Sequence, residues 1–123
     1  MSSNKQTAIA FLQTVIAGDI DAAYAKFVAP SFRHHNAFHK NTAEALKAGM
    51  KENEAQFPHK QFEIRHVLED GDLVATHSHI KFKPQDKGIA VMHLMRFENG
   101  RIVEMWDLGQ PIPEESPNEC PMF

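Results

Sequence analysis

The sequence predicts an α+β fold in which N-terminal helices pack on a curved antiparallel sheet and enclose a central pocket. Three observations predict it. Apolar residues recur at helical spacing through the first half of the chain, alternate at strand spacing from Phe62 onward, and are divided there by Gly-containing turns. Helices first and a meander of strands afterwards is an α+β order, not a doubly wound sheet.

The first helix follows from Ala8, Phe11, Leu12 and Val15, with Ser3 and Gln6 as a capping box and Gly18 as a left-handed stop. Asp19 or Asp21 then caps a short helix carrying Ala22, Ala23, Tyr24 and Phe27, which Pro30 is expected to end. The segment Ser31 to Lys40 is too polar for a buried strand and too aromatic for a free linker, so an edge strand or an irregular pocket wall is expected. Asn41 and Glu44 suggest a cap for a third helix bearing Leu46, Met50 and Phe57, stopped by Pro58. Four strands follow: one through Phe62 and Ile64, then Leu73 to Lys83, Ile89 to Phe97, and Arg101 to about Leu108. The organisation expected is one domain over residues 1–109 and an extended tail over 110–123. That tail carries four prolines and is either loose or anchored by Ile112, Met122 and Phe123 across the pocket mouth or a neighbouring subunit.

Composition narrows the function classes. A chain of 123 residues can bury a core without staples, and its lone Cys120 excludes an internal disulfide. A net charge of -3 gives no electrostatic reason to expect nucleic acid or an anionic membrane as partner. No stretch approaches the roughly 20 apolar residues that span a bilayer, and the first residues lack a signal-peptide pattern. A cytoplasmic protein is expected.

Eight histidines are the unusual feature. His77 and His79 share one strand face, and a hairpin symmetric about Asp86 puts His79 opposite His93, so three imidazoles are expected on one patch. Asp107 has the strand parity of Val103 and Met105. A three-residue loop at Glu98-Asn99-Gly100 brings it to the His93 face; a two-residue Asn-Gly turn puts it on the other. Three readings stay open. Asp107 is a proton shuttle among Met95, Met105 and histidine partners; or His77, His79 and His93, joined by Asp107 or His35, hold a divalent metal; or the histidines only satisfy hydrogen bonds. No compact ligand motif such as H-E-x-x-H supports a metal.

Three blocks carry a family resemblance. They are Phe32-Arg33-His34-His35-Asn36, the run from Glu69 to His79, and the run from Met95 through Asn99-Gly100 to Trp106-Asp107. With helices before a meander, they resemble the SnoaL-like, polyketide-cyclase-like group of the nuclear-transport-factor-2-like superfamily. The resemblance implies a cone with a deep apolar pocket for a small hydrophobic organic ligand, no cofactor, and a homodimer through the outer sheet face. It implies Asp107 as the acid/base aspartate and favours the three-residue loop. His35 and Asn36 match a His-Asn pair near the pocket mouth. The chain departs from the pattern in having Met105 where many members have histidine, and His93 where many have aspartate. The expected function is a cofactor-independent isomerase or cyclase-like lyase acting on a small hydrophobic carbonyl compound. Asp107, His79 and His93 are the expected catalytic residues, and His35, Asn36, His77, Met95, Met105 and Trp106 the expected substrate contacts. A non-catalytic ligand-binding module is the alternative, and a histidine-cluster metal enzyme the third.

Overall fold

A computed structural model describes residues 3–123. Helices α1 (Asn4–Ile16) and α2 (Ile20–Phe27), strand β1 (Val28–His34) and helix α3 (Ala43–Gln56) precede a meander. Its strands are β2 (Gln61–Asp70), β3 (Leu73–Lys81), β4 (Ile89–Glu98) and β5 (Arg101–Pro111). The sheet order is β1-β5-β4-β3-β2, with every pair antiparallel except β1 on β5. The curved sheet does not close, and the α+β class is as expected.

Local chemistry sets the boundaries. Ser3 caps α1 through the expected box: its side chain accepts from the Gln6 N–H, and the Gln6 side chain accepts from the Ser3 N–H. Gly18 takes φ 92° and frees the chain to turn into α2. Pro30 does not end α2, which stops at Phe27; it sits inside edge strand β1, where its missing N–H is tolerated. Thr42, not Asn41, caps α3, accepting from the Ala45 N–H at 3.2 Å.

The helices cover one face of the sheet. Phe11, Leu12, Ile20, Tyr24 and Leu46 meet Val74, Met95, Phe97, Ile102 and Met105 there, in one buried cluster. The opposite, outer face carries Leu68, Met92 and Leu108, all exposed. Beyond Pro111 the chain has no helix or strand, but it is held. The Ile112 N–H donates to the Gly88 carbonyl at 2.9 Å, and the Lys87 ammonium donates to the Glu114 carbonyl. No helix among the described residues is long and apolar enough to cross a membrane.

Candidate active site on the helix-covered face

The β4–β5 hairpin decides where Asp107 points. Its turn has two residues, Asn99 and Gly100, at φ 53° and 78°, between the paired Glu98 and Arg101. The expected three-residue loop is therefore corrected. A bulge restores the face that such a turn alone would lose: Phe97 pairs with Ile102 but Arg96 with Glu104, leaving Val103 as the extra residue. Beyond it Met95 pairs with Met105 and His93 with Asp107. Asp107 and His93 are thus direct cross-strand neighbours on the helix-covered face, a relationship that places Cβ atoms about 5 Å apart.

The β3–β4 register is also corrected. Thr76, not His79, faces His93; His79 faces Ala90 and His77 faces Met92. The connection is not symmetric about Asp86, and the resulting offset reverses the strand parity. His77 and His79 therefore lie on the outer face, and the predicted patch of three imidazoles does not form. Among the described residues no three His, Cys, Asp or Glu side chains converge as a metal site. His77 instead shares an Nδ1–Nδ1 hydrogen bond of 3.0 Å with His66. The His79 Nε2–H donates to the Lys87 carbonyl at 2.7 Å. The Phe123 ring stacks on both, at 5.0 Å from His77 and 4.4 Å from His79, with the Arg65 guanidinium over it at 5.3 Å.

Asn36 is the second group at the site. Its amide donates to both Asp107 oxygens, at 2.9 and 3.0 Å, and its own Oδ1 accepts from the Phe38 N–H at 2.9 Å. Buried His34 shapes the loop that carries it. The His34 Nδ1 accepts from the Asn36 N–H at 3.1 Å, which leaves the Nε2–H to donate to the Lys40 carbonyl at 2.7 Å. The neighbouring His35 turns the other way, stacking on Trp106 at 4.8 Å and donating to Glu104 at 2.7 Å. That carboxylate also pairs with Arg96 at 3.1 Å, and His35 with Arg96 holds Glu104 below the usual carboxylate range. His35 and Trp106 are outer-face residues; Met95 and Met105 are fully buried in the core beside the site.

The electrostatics are those of a charge at the edge of the buried core. Burial lowers the pKa of His93, opposed by the negative charge of Asp107, so the imidazole is neutral near pH 7. Burial, with Asp107 adding to it, raises the pKa of Tyr24, which stays a phenol and hydrogen-bonds the Met50 sulfur at 3.4 Å. Tyr24, the only tyrosine, is fixed edge-on between Phe11 and Phe32.

Tyr24, Thr76 and Ser78 were not singled out by sequence as site residues, whereas His34 stood in the Phe32 to Asn36 block. Thr76 and Ser78 alternate with His77 and His79, so the correct parity alone would have pointed to them. Two clefts open along the helices among the described residues. One of about 540 Å³ runs between α1 and β2; one of about 260 Å³ lies between α2 and α3. Asp107 and His93 line neither, so the deep central pocket of the expectation is not what these clefts form.

Comparison with known proteins agrees with this architecture. Residues 8–105 match the SnoaL-like domain. Similar solved structures include an uncharacterized cystatin-fold protein from Novosphingobium aromaticivorans, 20% identical, with TM-score 0.74 over 88% of this chain and 99% of that one. Wild-type IdmH of Streptomyces antibioticus, a proposed polyketide cyclase, is 20% identical, with TM-score 0.72 over 88% of this chain and 92% of that one. A proposed polyketide cyclase from Bacillus cereus is 21% identical, with TM-score 0.72 over 85% and 72%. At these identities the likeness is one of fold. No curated protein matches the chain.

Proposed function

The chain belongs to the SnoaL-like domain family, and from that premise we propose that it is a small-molecule acid–base enzyme working without a cofactor. Asp107 is the proton shuttle. The observation that carries this reading is the pairing of Asp107 with a half-buried His93 on the helix-covered face, with Asn36 orienting both carboxylate oxygens. The substrate class is a small hydrophobic carbonyl compound. Asp107 removes a proton from the carbon next to the carbonyl and returns it at the same or a neighbouring carbon, giving isomerase or cyclase-like chemistry. The neutral His93 is a hydrogen-bond donor suited to the oxygen on which charge develops. The proposed polyketide-cyclase role of two fold relatives supports the same reaction class.

The test is deuterium exchange. Cyclic ketones and 1,3-diketones are incubated with the protein in D2O, and loss of the α-proton NMR signal is followed. Acceleration that disappears in Asp107→Asn supports the assignment; equal acceleration by that variant overturns it.

A ligand-binding module without turnover is the second reading. It is favoured by the Asn36 amide, which occupies a lone pair on each Asp107 oxygen. Tight ligand binding with no exchange in any ketone would select it. Under either reading the protein is proposed to be a cytoplasmic homodimer joined through the outer face, where Leu108 is 72% and Leu68 70% exposed. Sedimentation velocity checks the dimer.

A further inference from the structure

A buried imidazole stands behind the Asn36–Asp107 contact. His34, 3% exposed, ends β1 beside Met105 of β5 and stacks on Phe32 at 6.2 Å. Both of its ring nitrogens are used. Nδ1 accepts from the Asn36 N–H at 3.1 Å, and the Nε2–H donates to the Lys40 carbonyl at 2.7 Å. One side chain therefore grips the loop between β1 and α3 near both of its ends. A core position beside Phe32 would take an apolar ring with no bonding requirement, whereas a buried imidazole is costly unless its nitrogens are paired. What the imidazole adds is a fixed place for the Asn36 backbone.

That place aims the side chain. Asn36 Oδ1 accepts from the Phe38 N–H at 2.9 Å, so the carboxamide has one orientation and Nδ2 is the group turned to Asp107. Asn36 is thus held at its backbone N–H by His34, at its oxygen by its own loop, and at its nitrogen by the carboxylate. Of the three, the His34 bond alone comes from a buried side chain. We propose that His34 is a positioning residue for Asp107: through Nδ1 it holds Asn36 where the amide meets both carboxylate oxygens. It acts through Asn36 and needs no contact with the substrate. A two-oxygen contact at 2.9 and 3.0 Å tolerates little displacement, because hydrogen bonds weaken steeply with distance and angle. The inference rests on the reading of Asp107 as proton shuttle and adds what aims it.

Two variants separate the two nitrogens. Asparagine puts a carboxamide oxygen where Nδ1 lies, so His34→Asn keeps an acceptor for the Asn36 N–H and loses the Lys40 bond. Glutamine reaches the Nε2 position, so His34→Gln keeps a donor for Lys40 and loses the Asn36 bond. Each deletes one bond, and a residue that only braced the loop would respond alike to both. The Asn36–Asp107 contact is read in NMR spectra from the Asn36 side-chain amide signals. These are assigned with Asn36→Ala and marked as carboxylate-bound by their displacement in Asp107→Asn. His34→Asn is expected to keep the wild-type amide signals, and His34→Gln to move them to free-amide positions. Deuterium exchange into a responsive ketone is expected to fall by about 10-fold in His34→Gln, and by less in His34→Asn.

Wild-type amide signals in both variants overturn the inference, because the contact then stands without the imidazole. Their loss in both overturns it too, and leaves His34 as a brace of the fold. If His34→Gln does not fold, His34→Asn decides alone: kept signals support the inference and lost signals overturn it. A wild-type protein that exchanges no ketone defeats the proton-shuttle reading, while the amide signals still decide whether His34 sets Asn36 on Asp107.

Discussion

His93 and Asp107 face each other across β4 and β5, and burial keeps the imidazole neutral against the pull of the carboxylate charge. A neutral hydrogen-bonding group thereby stands beside an anion on the helix-covered face. Asp107→Asn keeps the shape and removes the base. Deuterium exchange into a responsive ketone should fall by about 10²- to 10⁴-fold, the range of general-base catalysis.

The same pair sets a pH dependence of stability. His93 has a folded pKa below its ordinary 6.5, so the unfolded chain binds the extra proton first. Stability is complete above about pH 6.5 and declines as pH falls below it, by at most about 1.4 kcal/mol per pH unit. Urea unfolding of wild type and His93→Gln at about pH 7 and about pH 5 reads this, and the variant should lose that part of the slope. Glu104, whose folded pKa is also lowered, acts in a separate window below its ordinary 4.5.

Asn36 couples a loop to a strand. Removing its amide with Asn36→Ala takes two hydrogen bonds from a charged group and should cost about 1.5–3 kcal/mol in chemical denaturation. Combined with Asp107→Asn, the losses should be less than additive by about 0.5–3 kcal/mol, since both variants break the same contact.

What the sequence made legible was local. The Ser3 box, the stripe of α1, the Gly18 stop and the order of elements are all set by residues within a few positions of one another. The site depended on register, which is set by loops. Asn99-Gly100 signalled a turn, but nothing local marked Val103 as the extra residue that brings Asp107 back to His93. The β3–β4 connection carries Pro84 and Gly88, and its asymmetry decides whether His79 or Thr76 faces His93. A one-residue error there exchanges the two faces of the strand. Asp107, His93 and Asn36 come together; His35, His77, His79 and Trp106 belong to the outer face because of that parity.

Gly100 occupies the left-handed region with open space where a Cβ would lie, so backbone conformation alone penalises a side chain there. Gly100→Val should destabilise by about 1–2 kcal/mol and Gly100→Asn by less, because asparagine tolerates that region. Thermal unfolding distinguishes the two.

Phe123 clasps the outer face by stacking on His77 and His79. Phe123→Ala should release the ring-current shifts of both imidazoles in NMR spectra and cost about 0.5–1.5 kcal/mol.

The bulge at Val103 makes chain length a determinant of chemistry in this hairpin. Between Gly100 and Asp107, losing or gaining a single codon exchanges the inward and outward sets of β5. The carboxylate would then be delivered to solvent while the strand kept its composition. An equal change in the Gly71-Asp72 turn between β2 and β3 lies outside that count. Libraries that vary loop length would find the two turns unequal: one permissive, the other a switch between a protein that holds its acid inside and one that wears it outside.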